Sequence, residues 1–277
     1  MSTLSKYPNI LVRFLTATFG ATIIVLSILY GAWSYFGVFL LIAVLSQWEF
    51  YKIVQSPGSR PLKVWGSLMG LFLVSFSFLS ISGNLGFDWL LLLIPLGMTT
   101  FVIKLFQKNE TQPFLGTAYT WLGIIYVALP FSMLHYVGFA RGSYDFQLVL
   151  GCLLLHWAHD VGAYFIGVRF GRTKLFPSLS PNKSWEGSAG GALLTLLVVF
   201  VGSFWADSLR LWEWLTIGTL VIVAGTLGDL VESQLKRSME IKDSGRSIPG
   251  HGGFLDRFDG LLISTPFIAA FLKFFVA

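Results

Sequence analysis

The stretch Ser233–Asp259, SQLKRSMEIKDSGRSIPGHGGFLDRFD, lies between two apolar runs long enough to cross a bilayer. It gathers Lys236, Arg237, Lys242, Arg246, His251 and Arg257 with Glu240, Asp243, Asp256 and Asp259, in a chain where only 12% of residues are charged. Charge is costly beside hydrocarbon, so a knot of it between two spans marks a functional segment. Outward from this segment the same apolar character repeats. Of 277 residues, 55% are hydrophobic, and the mean hydropathy is +0.72. The apolar blocks are of the length that crosses about 30 Å of hydrocarbon.

Nine spans are expected, near 14–31, 35–54, 64–82, 88–106, 114–137, 146–168, 188–206, 211–231 and 259–276. The first two could form a tight hairpin or one long element broken between Gly31 and Gly37. The fold class that follows is all-α, a polytopic integral membrane protein. We read one helical domain over 1–277, with N-terminal spans in 1–137 and the polar motifs in 146–277. The N-terminal run is read as a first span and not as a removed signal peptide, because no small-residue cleavage site precedes a soluble domain. The single cysteine, Cys152, excludes an intrachain disulfide framework and argues against a Cys-based zinc site.

The basic residues set the expected orientation. With the N-terminus in the cytoplasm, the inner segments hold Lys6, Arg13, Lys52, Arg60, Lys63, Lys104, Lys108, Arg169, Arg172, Lys174, Lys183, Lys236, Arg237, Lys242, Arg246 and Arg257. The outer segments hold Arg141, Arg210 and Lys273 alone, three of 19. Such a bias is the positive-inside pattern. It places the C-terminus outside and the charged loop in the cytoplasm of a cell inner membrane. It also accounts for the net charge of +5 without nucleic acid.

Several polar groups carry candidate chemistry. Asp229, Glu232, Ser233 and Lys236 fall at i, i+3, i+4 and i+7, one helix face at the inner end of the eighth span; a headgroup-solvated stripe is the plainer alternative. Gly250-His251-Gly252-Gly253 is by itself an ordinary turn, but between Lys/Arg pairs and Asp residues it suits an anion cradle. Asp256 and Asp259 share a face if helical and suit a hard cation such as Mg²⁺, or else complement a helix dipole. In the sixth span, His156, Asp160 and Tyr164 recur at i, i+4 and i+8; Asp160 is expensive there unless paired or bound, while His156 alone reads as a packing residue. Ser180-Pro-Asn-Lys-Ser-Trp-Glu-Gly187 offers hydroxyls, an amide, an ammonium and an aromatic face, without the spacing of a P-loop; a capped helix start at Ser184 and Glu186-Gly187 is its structural alternative. Glu49 ends the second span and either faces the same site or snorkels. His135 reads as structural.

The run Ser233-x-Leu235-Lys236-Arg237-x₄-Lys242-Asp243-x₅-Pro249-Gly250-His251-Gly252-Gly253-x₂-Asp256-Arg257-x-Asp259 resembles the C-terminal motif of the phosphatidate cytidylyltransferases, the CDP-diacylglycerol synthases. The Ser180–Gly187 segment and Asp160-x-Gly162-Ala163-Tyr164 are similar to a second block of that family. Val161 departs from the Thr or Ser common after that Asp. The resemblance implies transfer of the cytidylyl group of CTP to phosphatidate, giving CDP-diacylglycerol and pyrophosphate in phospholipid biosynthesis, with Mg²⁺ and room for a second cation. It implies Asp229 and Asp256 as leading metal carboxylates, supported by Asp160 and Asp259. Lys236, Arg237, Lys242 and Arg257 would then meet phosphates, and Ser180, Asn182, Lys183, Ser184, Glu186, His251, Gly252 and Gly253 would bind substrate. The partners implied are CTP, phosphatidate and membrane lipid, with no nucleic acid, and a homodimer as the assembly considered. A transporter is the rival from another class, but the acids gather in the C-terminal half and no twofold relation is visible. A CTP-dependent lipid kinase and a structural scaffold are the others.

Overall fold

A computed structural model describes residues 7–107, 110–242, 244–245, 247–248 and 252–276, with residues 7–12 as backbone alone. Among them, nine helices are long and apolar enough to cross a membrane. They are α1 (Tyr7–Tyr30), α2 (Ala32–Ile53), α3 (Lys63–Ile81), α4 (Phe87–Phe106), α5 (Pro113–Gly138), α6 (Phe146–Phe170), α7 (Trp185–Gly202), α8 (Leu211–Ser238) and α9 (Leu255–Val276). One antiparallel hairpin, β1 (Lys174–Phe176) and β2 (Ser180–Ser184), precedes α7. The protein is an all-α, polytopic membrane protein.

The helix ends differ from the apolar runs where polar residues carry a helix past the hydrocarbon. α7 starts at Trp185, not near 188, because the Ser184 hydroxyl accepts the Gly187 N–H at 3.1 Å and caps the first turn. α8 runs to Ser238 because TLGDLVESQLKRS segregates its charges onto one face. α1 and α2 are separate helices in contact, joined at Gly31, whose φ of 148° is a conformation that side chains rarely adopt. α5 and α8 each contain a π-helical turn, Ile124–Ala128 and Val221–Gly225. The second lies one turn before Asp229, and such bulges recur at functional sites.

The chain divides into two compact units, residues 1–132 with 241–257, and residues 133–240 with 258–277. In the first, a buried polar network links α2, α3 and α5. Tyr51 donates to the Thr120 carbonyl at 2.7 Å, and Gln47 Nε2 donates to Tyr51 Oη at 2.9 Å and to the Gly66 carbonyl at 3.0 Å. Lys104 and Glu110 form a buried ion pair at 2.6 Å, their side chains 4% and 3% exposed. Lys104 also donates to the Arg60 carbonyl, and the second Glu110 oxygen accepts the Arg60 N–H at 2.6 Å. A residue that marks topology in the sequence is therefore also an internal tie.

In the second unit, α6 and α7 pack through small residues. A Cβ at Gly162 would meet the Gly190 carbonyl oxygen at 2.6 Å, the close approach that small side chains permit between membrane helices. α8 meets α9 at Gly228, where a Cβ would lie 2.5 Å from the Asp259 carbonyl oxygen. His156 bridges the Cys152 carbonyl and Ser264 Oγ, each at 2.8 Å, and so ties α6 to α9 as a packing residue.

Candidate active site

The polar end of α8 carries Asp229, Glu232, Ser233 and Lys236 on one helical face. Glu232 is 1% exposed and accepts from Lys236 Nζ at 2.8 Å. Ser233 Oγ stands 3.5 Å from Asp229 Oδ1. Asp229, half-buried, forms an ion pair with Lys183. Two blocks that are far apart in the chain thus meet through one charge pair.

Lys183 is delivered by the hairpin. β1 and β2 register Lys174 with Ser184 and Phe176 with Ser180. The hairpin is fastened to the start of α7 by Glu186, whose carboxylate accepts the N–H groups of Arg172 and Thr173 at 3.1 Å. The Trp185 N–H donates to the Thr173 carbonyl at 3.0 Å. Glu186 and Ser184 therefore shape the segment that presents Lys183. Ser180 is half-buried, while Asn182 and Trp185 are exposed.

Asp259 completes this cluster. It is half-buried in the first turns of α9 and lies in the field of Asp229 and Asp160, with Lys183 as the opposing charge. Because Gly228 lets α8 touch the α9 backbone, the two carboxylates are brought near each other. The Asp160 side chain is 79% exposed, with His159 Nδ1 3.8 Å away. His159, given no role from the sequence, contacts Thr226 Oγ1 at 3.3 Å through its other nitrogen. Tyr164 is exposed. Among the described residues, the charges that act on Asp259 are thus the carboxylates of Asp229 and Asp160 and the ammonium of Lys183.

The first unit holds a separate set of motif residues. Asp256 Oδ2 accepts the N–H groups of Gly253 at 3.0 Å and Ser244 at 3.2 Å, folding the loop back on the first turn of α9. Gly252 has φ of 86°, and its carbonyl accepts the Ile248 N–H at 2.9 Å. The glycines thus make a tight turn against a carboxylate. Glu49 joins this set: its Oε2 accepts the Leu255 N–H at 3.0 Å, and its side chain is buried. The sequence left Glu49 undecided; the only signal was an acid at the inner end of an apolar run. Arg237, Lys242 and Arg257 are exposed. His251, with Asp243, Arg246, Pro249 and Gly250, lies outside the described residues.

Among the described residues, no three His, Cys, Asp or Glu side chains are grouped so as to hold a metal ion unaided. Mg²⁺ does not require that, since it is bound through one or two carboxylates, water and substrate phosphates. The grouping of the Asp229, Asp259 and Asp160 carboxylates fits that sparse mode.

The model of the cytidylyltransferase family matches residues 11–275. The chain belongs to the cytidylyltransferase family. A relative from Staphylococcus haemolyticus named phosphatidate cytidylyltransferase is 37% identical over 177 residues, 64% of this chain and 66% of its own length. One of the same name from Bacillus subtilis is 36% identical over 229 residues, 81% of each chain. A third, from Staphylococcus aureus, is 35% identical over 177 residues, with 64% and 66% covered. The chain thus spans just under two thirds of the staphylococcal relatives and about four fifths of the Bacillus one. In this member of the cytidylyltransferase family, the Ser180–Ser184 part of one block lies on the hairpin, and the described ends of the other lie on α8 and α9.

Proposed function

We propose that the protein transfers the cytidylyl group of CTP to phosphatidate, yielding CDP-diacylglycerol and pyrophosphate in phospholipid biosynthesis. The observation that carries this reading is the Lys183–Asp229 pair with Asp259 beside it. It joins the Ser180–Gly187 block to the C-terminal block, which their spacing alone did not require. The names of the relatives support the same substrates.

Phosphatidate is a phosphate monoester with a second pKa near 6, so its attacking oxygen is already ionised near neutral pH. The reaction needs no general base to create the nucleophile. The difficulty is to bring two polyanions together. Lys183, on a fastened hairpin, supplies a positive charge for one of them, and exposed Arg237, Lys242 and Arg257 supply more. Arginine adds a planar fork for phosphate oxygens. The oxygen of phosphatidate forms a bond to the α-phosphorus of CTP as the bond to pyrophosphate breaks. Asp229, Asp259 and Asp160 would hold Mg²⁺ with phosphate oxygens as further ligands, and Asp256 is the remaining metal carboxylate of the reading. When bound, the ion would neutralise charge on the leaving pyrophosphate.

The substrates set the depth of the reaction. Phosphatidate keeps its acyl chains in the leaflet, and CTP is soluble. The chemistry therefore belongs at the inner water boundary, with the N-terminus cytoplasmic and the C-terminus outside. The test is incubation of purified protein with labelled CTP, phosphatidate and Mg²⁺, then lipid extraction. A labelled liponucleotide and released pyrophosphate are expected. Release of CDP with phosphorylation of a lipid alcohol would refute the reading.

A further inference from the structure

We infer that Glu49, on the second span, is a positioning residue for the reaction, acting through the turn that precedes Asp256. The inference rests on the cytidylyl-transfer reading for its catalytic part only. Glu49 is 3% exposed at the end of α2, and its Oε2 accepts the N–H of Leu255, 206 residues away in the chain. Leu255 is the first residue of α9 and is fully buried. The first N–H groups of a helix have no partner within it, so Glu49 caps α9 from another span. Its negative charge also lies favourably at a helix N-terminus.

The fit around this carboxylate is close. A Cβ at Gly253 would lie 2.5 Å from Glu49 Oε2, and a Cβ at Gly245 would lie 3.0 Å from Oε1. Both arms of the loop therefore lie against Glu49 on bare backbone. The same Gly253 donates its N–H to Asp256 Oδ2, as does Ser244, next to Gly245. One carboxylate fixes the loop from the α2 side and the other from the α9 side, and they share the same short segments. Glu49 thereby sets where the first turn of α9 starts and how Asp256 is presented. It is not a catalytic residue, because nothing in the reaction requires it to touch substrate.

The experiment compares Glu49→Ala with Glu49→Gln, since the Gln side-chain oxygen still accepts from Leu255. Amide exchange at Leu255 and CDP-diacylglycerol synthesis are read on the same full-length preparations. For Glu49→Ala, exchange at Leu255 is expected to rise about tenfold or more. Its kcat should fall about tenfold to a hundredfold, the scale of a small misplacement, with either KM changed less than about threefold. For Glu49→Gln, both readouts should stay within about threefold of the unsubstituted protein. Unchanged exchange at Leu255 in Glu49→Ala overturns the inference. So does a loss of kcat in Glu49→Gln as large as in Glu49→Ala with Leu255 still protected, which would place the charge itself in the chemistry. An unsubstituted protein that makes no liponucleotide refutes the proposed function alone, because exchange at Leu255 reads the anchoring without it.

Discussion

Gly228→Ala adds one methyl group and changes no charge, yet it should disable the protein. The methyl carbon would stand 2.5 Å from the Asp259 carbonyl oxygen and 3.0 Å from Gly260 Cα. Both are backbone atoms of α9, so no side chain can swing aside. Ordinary contact begins at 3.4 Å, which asks for a separation of roughly 3.4 − 2.5, or about 0.9 Å, at this crossing. Overpacking of this kind costs about 1–3 kcal/mol. The consequence for activity is larger than for stability, because the crossing holds Asp229 and Asp259, the carboxylates of the proposed centre. A displacement near 1 Å can cost about a hundredfold in rate. The assay is incorporation of labelled CTP into lipid, with thermal unfolding measured on the same samples. We expect kcat down about a hundredfold and a Tm loss of about 2–12 °C, using about 2–4 °C per kcal/mol for a chain of this size. A variant with both kcat and Tm unchanged would refute the argument that Gly228 sets the spacing of the two acids.

Asp229→Asn and Asp256→Asn should each lower turnover at least about a hundredfold while membrane insertion, read by fractionation, is unchanged; near-normal activity in purified Asp256→Asn would remove it from the metal set. Lys183→Met should lower kcat/KM for CTP about tenfold to a hundredfold, and the loss should shrink when Asp229→Asn is already present, because the two side chains form one pair. Lys104→Met leaves Glu110 buried without its counter-charge, and should cost about 3–5 kcal/mol in denaturant or thermal unfolding.

Spacing along a single helix was enough to group Asp229, Glu232, Ser233 and Lys236, since their positions on one face follow from 3.6 residues per turn. The nine spans were likewise readable from the length of apolar runs, but several ends moved: α1 starts at Tyr7, α7 runs from its Ser184 cap to Gly202, α8 extends along its polar face to Ser238, and α9 starts at Leu255. The hairpin at Lys174–Ser184 was not readable. Ser180-Pro-Asn-Lys-Ser184 has no period-2 alternation of apolar residues. It is held instead by Glu186, through backbone groups of a neighbouring turn.

Partner choice among charges was the other thing the chain order hid. Lys183, Lys236, Arg237 and Lys242 look alike as basic residues in a polar motif, but their surroundings separate them. Lys236 is engaged by buried Glu232 and Lys183 by half-buried Asp229, and Lys242 is exposed. A lysine held by a buried carboxylate can serve a phosphate only by sharing or leaving that carboxylate, which costs desolvated charge. Lys236 would have to uncover Glu232, which is 1% exposed. Lys183 is the easier of the two to free, because its partner Asp229 is only half-buried. The same residue types therefore divide into two kinds of pair, and burial of the acid, not the spacing of the bases, makes the division.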